Sequence, residues 1–547
     1  MNATLRTNQE LSLESQRRMV RALQNRLAEG QRTACALIET HISFVLVCHP
    51  LAYKIKKALK TEFLDQSTLA LRQRACEEEL RLNRRLAADL YLGVVSIAGD
   101  IEAPVIDGAA DPQIDCAVKM RAFEQQGLWD RPAADRALRA AHLDDLVDIL
   151  VPFHRSAAVA VPSGRFGSPS QVRAPVLDSL AELDRMVPAE QRSVLTELRA
   201  FESAAFERLR DVMARRLTRG RVRECHGDLH LGNVTMIEGR TVVFDGIEFN
   251  DDLRWIDVIS EVAFMAMDLQ AHGLQGLAHR FVNRYLEASG DYGAVRLLRY
   301  YVVYRALVRA KIALLRAVQC GGQSGARESP EATRHRAAAQ SYLQLALRCS
   351  RGGPGVALII THGYSGSGKS TLTQSLVEAV GAIRIRADVE RKRMAGLMPL
   401  DRSGAGPRLY GSAMTKATYT RLRRLAALVL DGGFPAVLDA TFLRRDQRLG
   451  ARRFATEHGA RFVILDFDVG IDLLRQRLHR RNASGADPSD ADEAVLDAQL
   501  RTAEPLHADE LDAVFSCASM AGATDCGLGP DWTALQTQLA PERCVLE

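Results

Sequence analysis

The chain has 547 residues, and its 72 basic against 67 acidic side chains leave a formal net charge of +5. That length exceeds what one hydrophobic core supports and implies two to four domains. The small charge excess excludes an argument for nucleic-acid binding from electrostatics alone. With 47% hydrophobic and 25% charged residues the composition is ordinary for a globular protein. The 10 cysteines are scattered and form no C-x-x-C pair, which predicts reduced, buried thiols rather than a disulfide framework or zinc site. Met1 to Gln24 is polar and charged and lacks the apolar core of a signal peptide. No apolar run approaches the roughly 18 residues that span a bilayer. The expectation is a soluble, cytoplasmic protein with no membrane partner.

In chain order, Ala34 to Ile55 carries short β-branched segments broken at Thr40-His-Ile and at His49-Pro50, which predicts a meander of three strands. Residues 70–92 read as a helix, 93–120 as further strands, and 134–216 as helices around a loop at Val161–Pro175. Residues 256–320 are again helical. Strands first and helices later predict an α+β, two-lobed domain. Gly321 to Pro330 and Arg351 to Gly355 break the chain, with a helix at Glu331–Cys349 between them. The domain boundary is placed near residue 352, giving domains 1–351 and 352–547. Beyond it, alternating strands and helices predict an α/β domain with a parallel sheet.

The first domain contains His226-Gly-Asp-Leu-His-Leu-Gly-Asn233, the spacing of the kinase catalytic loop H-R-D-x-x-x-x-N with Gly227 in place of arginine. Asp228 is the candidate acceptor for the proton of a reacting hydroxyl, and His226 is expected to scaffold the loop. Val234 to Glu238 and Thr241 to Phe244 read as a hairpin turning at Gly239-Arg240. In that register Val234 faces Asp245, and Asn233 lies beside it. Paired positions across a ladder are about 4.5–5.5 Å apart, so Asn233 and Asp245 form a candidate Mg²⁺ site of hard-oxygen type. His230 receives no role.

These residues resemble the aminoglycoside phosphotransferase and choline kinase group, relatives of protein kinases, over the first ~350 residues. The resemblance is carried by His226 to Asn233 and by Phe244-Asp-Gly-Ile-Glu248 in the place of the second metal motif. It implies a structural role for Asp257, bracing the catalytic loop. It also implies an ATP-binding lysine on the third strand and a glutamate on the following helix. Alternation puts Lys54 and Lys56 on one face, so both remain candidates, with Lys54 preferred. Glu79, on the face of Leu82 and Leu86, is the glutamate that would pair it. The first hairpin offers Thr40-His-Ile-Ser43 with no glycine over the nucleotide, which keeps a non-catalytic nucleotide sensor as an alternative.

Past the boundary, Gly363-Tyr-Ser-Gly-Ser-Gly-Lys-Ser370 is a complete G-x-x-x-x-G-K-[ST] phosphate loop. Val356 to Thr361 before it suits a buried strand, and Leu372, Leu376 and Val380 after it share one helical face. Backbone N–H groups of Gly363, Ser365, Gly366, Ser367 and Gly368 would curl around a phosphate, with Thr371 continuing the helix N-terminus. Lys369 would reach the β/γ-phosphates, and the Ser370 hydroxyl would bind Mg²⁺. A strand ending in Asp388, with Arg391 one helical turn on, resembles the pattern of small-substrate and polynucleotide P-loop kinases, which implies a base at Asp388 and an anion-binding arginine at Arg391. The strand Ala436 to Asp439 ends in an acid suited to a metal-bound water or the substrate, so Asp439 is a candidate metal-site residue. Leu422, Leu425, Ala426 and Val429 form the packing face of the helix before it. After the strand Arg461–Phe467, arginines precede a Ser/Gly/Asp-rich loop, Asn482 to Asp492, as in a kinase lid. Arg477 and Arg480 are its candidate phosphoryl contacts.

Residues 355–505 resemble gluconate-kinase-like and polynucleotide-kinase-like P-loop kinases, also grouped as AAA-type ATP-binding proteins. The whole chain is similar to bacterial fusions of an aminoglycoside-phosphotransferase-like domain with such an ATP-binding domain. The resemblance implies two ATP- and Mg²⁺-dependent phosphotransferases in tandem. Their acceptors would be small molecules, with nucleic acid entering only as a substrate of the second domain. A motor-type ATPase is the alternative for that domain. Against it, the short chain after the phosphate loop leaves little room for a helical subdomain.

Overall fold

The computed structural model describes residues 11–31, 34–61, 64–108, 112–320, 329–353, 355–401, 409, 411–484, 488–517 and 531–539. The chain divides into two compact units, Met1–Val172 with Met213–Asp268 and Arg173–Val212 with Leu269–Glu547. Residue 352 lies inside the second unit. No helix among the described residues is long and apolar enough to cross a membrane.

The first unit begins with α1 (Leu13–Gln31), β1 (Ala36–Glu39), β2 (Ser43–Cys48), β3 (Leu51–Lys56), α2 (Leu69–Ala87), β4 (Tyr91–Asp100), β5 (Ala103–Ile106) and β6 (Gln113–Arg121). All six strands form one antiparallel sheet in the order β1-β2-β3-β6-β4-β5. Alternation buries Phe44, Leu46 and Cys48 of β2 against Met19, Val20 and Leu23 of α1, a helix that composition alone leaves unassigned. Gln16 of α1 ties the lobe together, donating to Lys56 O at 2.7 Å and to Asp115 Oδ2 at 2.7 Å. Arg72 of α2 meets the same Asp115 at 2.8 Å. The antiparallel register places Ala36 opposite Val47, so Cys35 and Cys48 fall side by side and are disulfide-bonded, their Cα atoms 4.4 Å apart. This corrects the expectation of thiols throughout, because sequence spacing hides a cross-strand pair. Cys76, Cys116, Cys225, Cys320, Cys349 and Cys517 are not disulfide-bonded, and Cys526 and Cys544 lie outside the described residues.

Next come α3 (Asp130–Ala134), α4 (Ala140–Ser156), α5 (Pro169–Met186), α6 (Arg192–Thr218), β7 (Val222–Glu224), β8 (Val234–Ile237), β9 (Arg240–Val243), α7 (Asp251–Arg254), β10 (Trp255–Asp257) and α8 (Val258–Ala271). The loop expected at Val161–Pro175 ends earlier, since α5 starts at Pro169 and carries Pro175 in its interior. A proline in the first turn needs no N–H partner, which explains the early start.

The second unit takes in most of α5 and α6 and continues with α9 (Gln275–Ser289), α10 (Val295–Cys320) and α11 (Pro330–Ser350). They precede β11 (Ala357–His362), α12 (Lys369–Val380), β12 (Ile383–Arg386), α13 (Ala387–Met394), α14 (Ser412–Asp431) and β13 (Ala436–Asp439). It ends with α15 (Arg445–Glu457), β14 (Arg461–Asp466), α16 (Ile471–Ser484), α17 (Glu493–Thr502), β15 (Val514–Ser516) and α18 (Thr533–Leu539). Five strands pair in parallel in the order β12-β13-β11-β14-β15. Ile359, Val437, Val463, Leu372 and Leu376 share a buried cluster closed by Trp532, Leu535 and Leu539 of the α18 segment. Continuous apolar strands are what a sheet covered on both faces requires.

Candidate active sites

In the first unit, the Lys54 Nζ on β3 is 2.8 Å from Glu79 Oε1 on α2 and also pairs with Asp245. Lys56 pairs with the other Glu79 oxygen and with Glu248. Both lysines thus point to one buried carboxylate, and the residue that divides their roles is the acid each takes in addition. Burial alone would raise the Glu79 carboxyl, yet the two ammonium groups overcome it and hold it at about 2. Lys54 stays protonated well above its ordinary range, burial being outweighed by Asp245 and Glu79. Asp245 sits at a left-handed φ of 62°, a strained position for a non-glycine residue and one that active sites favour. Tyr91 Oη takes its N–H at 3.1 Å, and Asn83 Oδ1 takes the next one, from Gly246, at 2.8 Å.

The hairpin register differs from the expected one. Val234 faces Val243, and the turn is Glu238-Gly239, with φ of 51° and 76°. A two-residue hairpin turn of that hand matches the twist of the strands and favours glycine second, which moves the turn one residue toward the N-terminus. Asn233 therefore lies opposite Phe244, whose N–H donates to Asn233 O at 3.0 Å, and Asp245 is the next residue. Asn233 Nδ2 donates to Asp228 Oδ2 at 3.0 Å, so its amide oxygen is what it has to offer a cation. Asn233 and Asp245 are oxygen donors that fit a hard divalent ion.

The loop itself is fastened by acids absent from the sequence reading. Glu261 Oε2 accepts from His226 N at 2.7 Å and Gly227 N at 2.8 Å, while His154 holds its other oxygen at 3.0 Å. Asp268 accepts from Leu231 N at 3.0 Å. Asp257 is buried and structural, but its carboxylate grips Arg216 at 2.6 and 2.8 Å; the bracing bonds come from α8 instead. His226 Nε2 meets Phe244 O at 2.8 Å, coupling the loop to the residue before Asp245. Gly227 explains the missing arginine. Its φ is +88°, and a Cβ there would stand 2.9 Å from Leu253 O. His230 caps the short turn after it, accepting from Gly232 N at 3.0 Å.

In the second unit, the phosphate loop joins β11 to α12. Gly368 has φ +89°, a backbone conformation that side chains rarely adopt, and Arg477 Nη1 lies at ordinary contact distance, 3.4 Å from where a Cβ would stand. Lys369 Nζ donates to Gly363 O at 3.0 Å and Tyr364 O at 2.6 Å. Gly366 and the buried Ser367 complete the curl, and Thr371 follows exposed on α12. Ser365 is held at both N–H and hydroxyl by Gln499 of α17, each at 3.0 Å, a contact no motif announces. Ser370 Oγ donates to Asp439 Oδ2 at 2.8 Å, and these two oxygen donors also suit a hard divalent ion.

The strand β12 ends at Arg386, so Asp388 stands in the first turn of α13 rather than at the strand end. Arg391 pairs with it one turn on. Burial pushes the Asp388 carboxyl up, but Arg391, the Ser489 hydroxyl and Arg386 more than offset this and hold it below its ordinary range. Lys392 binds Asp490 at 2.9 Å, and Arg481 donates to Ala491 O at 2.6 Å. The end of the expected lid loop is thus seated on α13 beside Asp388, while its residues 485–487 lie outside the described set. Arg477 is half-buried at the phosphate loop, and Arg480 is exposed on α16.

Residues 57–298 match the sequence model of the phosphotransferase enzyme family, and residues 358–506 match that of an AAA domain. With a kinase-type catalytic loop in one unit and a phosphate loop on a parallel sheet in the other, the protein is a kinase-class enzyme that uses nucleotide. Uncharacterized proteins of Mycobacterium bovis and Mycobacterium tuberculosis are 30% identical to it over 467 residues, 84% of this chain and 89% of theirs. The chain belongs to the same family as these mycobacterial proteins. Similar solved structures include a choline/ethanolamine kinase family protein from Mesorhizobium loti, 13% identical with a TM-score of 0.36, covering 61% of this chain and 99% of that one. A gluconokinase from Sinorhizobium meliloti 1021 is 21% identical with a TM-score of 0.22, covering 30% of this chain and 83% of that one.

Proposed function

We propose that the protein is a tandem phosphotransferase, each domain moving the γ-phosphoryl of Mg·ATP to an acceptor hydroxyl. What supports it most is the meeting of Lys54 and Asp245, 191 positions apart, beside one buried glutamate. Lys54, held by Glu79, faces the nucleotide phosphates, and Asn233 and Asp245 hold the cation. Asp228 takes the proton as the acceptor oxygen bonds to phosphorus and the bond to the bridging oxygen of ADP breaks. In the second domain Lys369 and the loop N–H groups bind the phosphates, and Ser370 and Asp439 hold the cation. Asp388 takes the proton, Arg391 binds an anionic group of the acceptor, and Arg477 and Arg480 ride on the lid. When bound, Mg²⁺ neutralises charge on the phosphate oxygens; the side chains position, and no covalent enzyme intermediate is needed.

Transfer from labelled ATP to pools of metabolites, aminoglycosides and oligonucleotides tests the reading. Asp228→Asn should lower transfer by the first domain with Mg·ATP affinity unchanged, whereas Asp245→Asn should weaken Mg²⁺-dependent nucleotide binding. Asp388→Asn should stop transfer by the second domain and spare its ATP binding. If Asp228→Asn and Asp245→Asn bind and turn over like the parent, the first domain is a nucleotide sensor. Hydrolysis with no transfer product, equal in parent and Asp388→Asn, would make the second domain a motor-type ATPase.

A further inference from the structure

Glu287 on α9 stands between two arginines of β12. Its carboxylate is 3.6 Å from Arg384 Nη2 and 3.8 Å from Arg386 Nη1, and its Oε2 is buried without a hydrogen-bond partner. Each arginine leads to a different half of the Ser370–Asp439 pair. Arg384 Nη1 donates to the carbonyl of Ser370 at 2.7 Å. Arg386 Nε is 3.9 Å from Asp439 Oδ2, the oxygen that accepts the Ser370 hydroxyl. The helix is held in register with the strand. Asn283 Oδ1 accepts from Arg384 N at 2.7 Å, and Tyr292 Oη donates to Arg384 O at 3.3 Å. His279 and Arg280 fasten α9 to Glu378 of α12, at 3.0 and 2.8 Å.

We propose that Glu287 is a positioning residue for the phosphate-loop site, setting how readily Ser370 and Asp439 accept a divalent cation. The inference rests on reading that site as one for Mg·ATP. Arg386 and the cation compete for the same carboxylate, and their attraction to it is steep at such distances in a buried setting. Glu287 draws the guanidinium charge the other way. It also keeps Arg384 on the main chain of Ser370, so both donors are set from outside the P-loop domain. Residue 287 falls within the span matched to the phosphotransferase family. One family domain thus supplies a control element to the active site of the other.

The test uses the full chain with Lys54→Met, so that nucleotide binding reports the second site, and measures ATP affinity by calorimetry over a range of Mg²⁺. Glu287→Gln should raise the Mg²⁺ concentration that gives half the affinity gain by roughly tenfold, as loss of an outer partner of a metal ligand does. Mg²⁺-free affinity should not change. Adding Arg386→Gln to that variant should restore the parent's Mg²⁺ response, which a merely structural role for Glu287 would not do. An unshifted Glu287→Gln, or a double variant as shifted as the single, overturns the proposal. Should Glu287→Gln fail to fold, Arg386→Gln alone must lower the Mg²⁺ requirement; an unchanged or raised one overturns it. Affinity indifferent to Lys369→Ala would overturn the nucleotide site and the inference with it. A Lys369-dependent affinity that ignores Glu287 overturns the inference alone.

Discussion

Glu79 is the residue on which the first site turns, because two buried lysines share it. Replacing it by glutamine leaves both ammonium groups without their common counter-charge. Breaking such a buried pairing costs about 3–5 kcal/mol, so Glu79→Gln should lower the urea-unfolding stability by that order at pH 7. The pH dependence has a definite sign. With its carboxyl held at about 2, against about 4.3 in an unfolded chain, the parent binds fewer protons when folded. The contribution is fully present above about 4.3 and disappears as pH falls toward 2. The stability gap between parent and Glu79→Gln should therefore narrow below pH 4.3; a gap constant down to pH 2.5 would contradict the charge arrangement. At the second site, Lys369→Ala removes charge-assisted contacts of about 1.5–3 kcal/mol each. Nucleotide affinity of the Lys54→Met chain should then fall at least about tenfold in calorimetry.

Among the elements, β12 carries the most consequence for its length. It is the edge of the parallel sheet, and an edge strand leaves main-chain groups to be satisfied by other means. Asn283 satisfies the N–H of Arg384 at 2.7 Å. Asn283→Ala should cost about 1–3 kcal/mol, the price of stranding a buried donor. It should also raise amide exchange at Arg384 ahead of Ile360, which is central in the sheet; equal protection in the two proteins would refute this. The β8–β9 hairpin teaches a related lesson. Its strands were legible from alternation, but the register depended on which two residues adopt positive φ, and that shifted Asn233 from Asp245 to Phe244.

For the molecule as a whole, the seam in the sequence and the division in space fall at different places. The second compact unit takes in Arg173–Val212 and everything from Leu269 onward. A fragment of residues 352–547 lacks Asn283, Glu287 and Tyr292, and with them the cover on β12. It should melt well below a fragment of residues 269–547, by more than about 5 °C if two or three of these contacts act together. Equal melting temperatures in calorimetry would show that α9 to α11 add nothing to the P-loop domain.

The sequence alone determined the kinase class of the protein. The phosphate loop and the H-x-D-x-x-x-x-N spacing are local strings, and a local string fixes which donors and carboxylates lie within a few ångströms of a ligand. It also determined the parallel sheet, since continuous apolar strands alternating with helices have no other way to bury both faces. Only the tertiary structure decided that Lys54 and Lys56 meet on Glu79 and part at Asp245 and Glu248. It likewise decided that α8 rather than Asp257 braces the catalytic loop, that Cys35 lies against Cys48, and that α9 reaches the P-loop site through two arginines. Each of these joins residues far apart in the chain, or hangs on a register that shifts with one turn residue. Their partners are chosen by packing, and packing leaves no periodic mark on a single sequence.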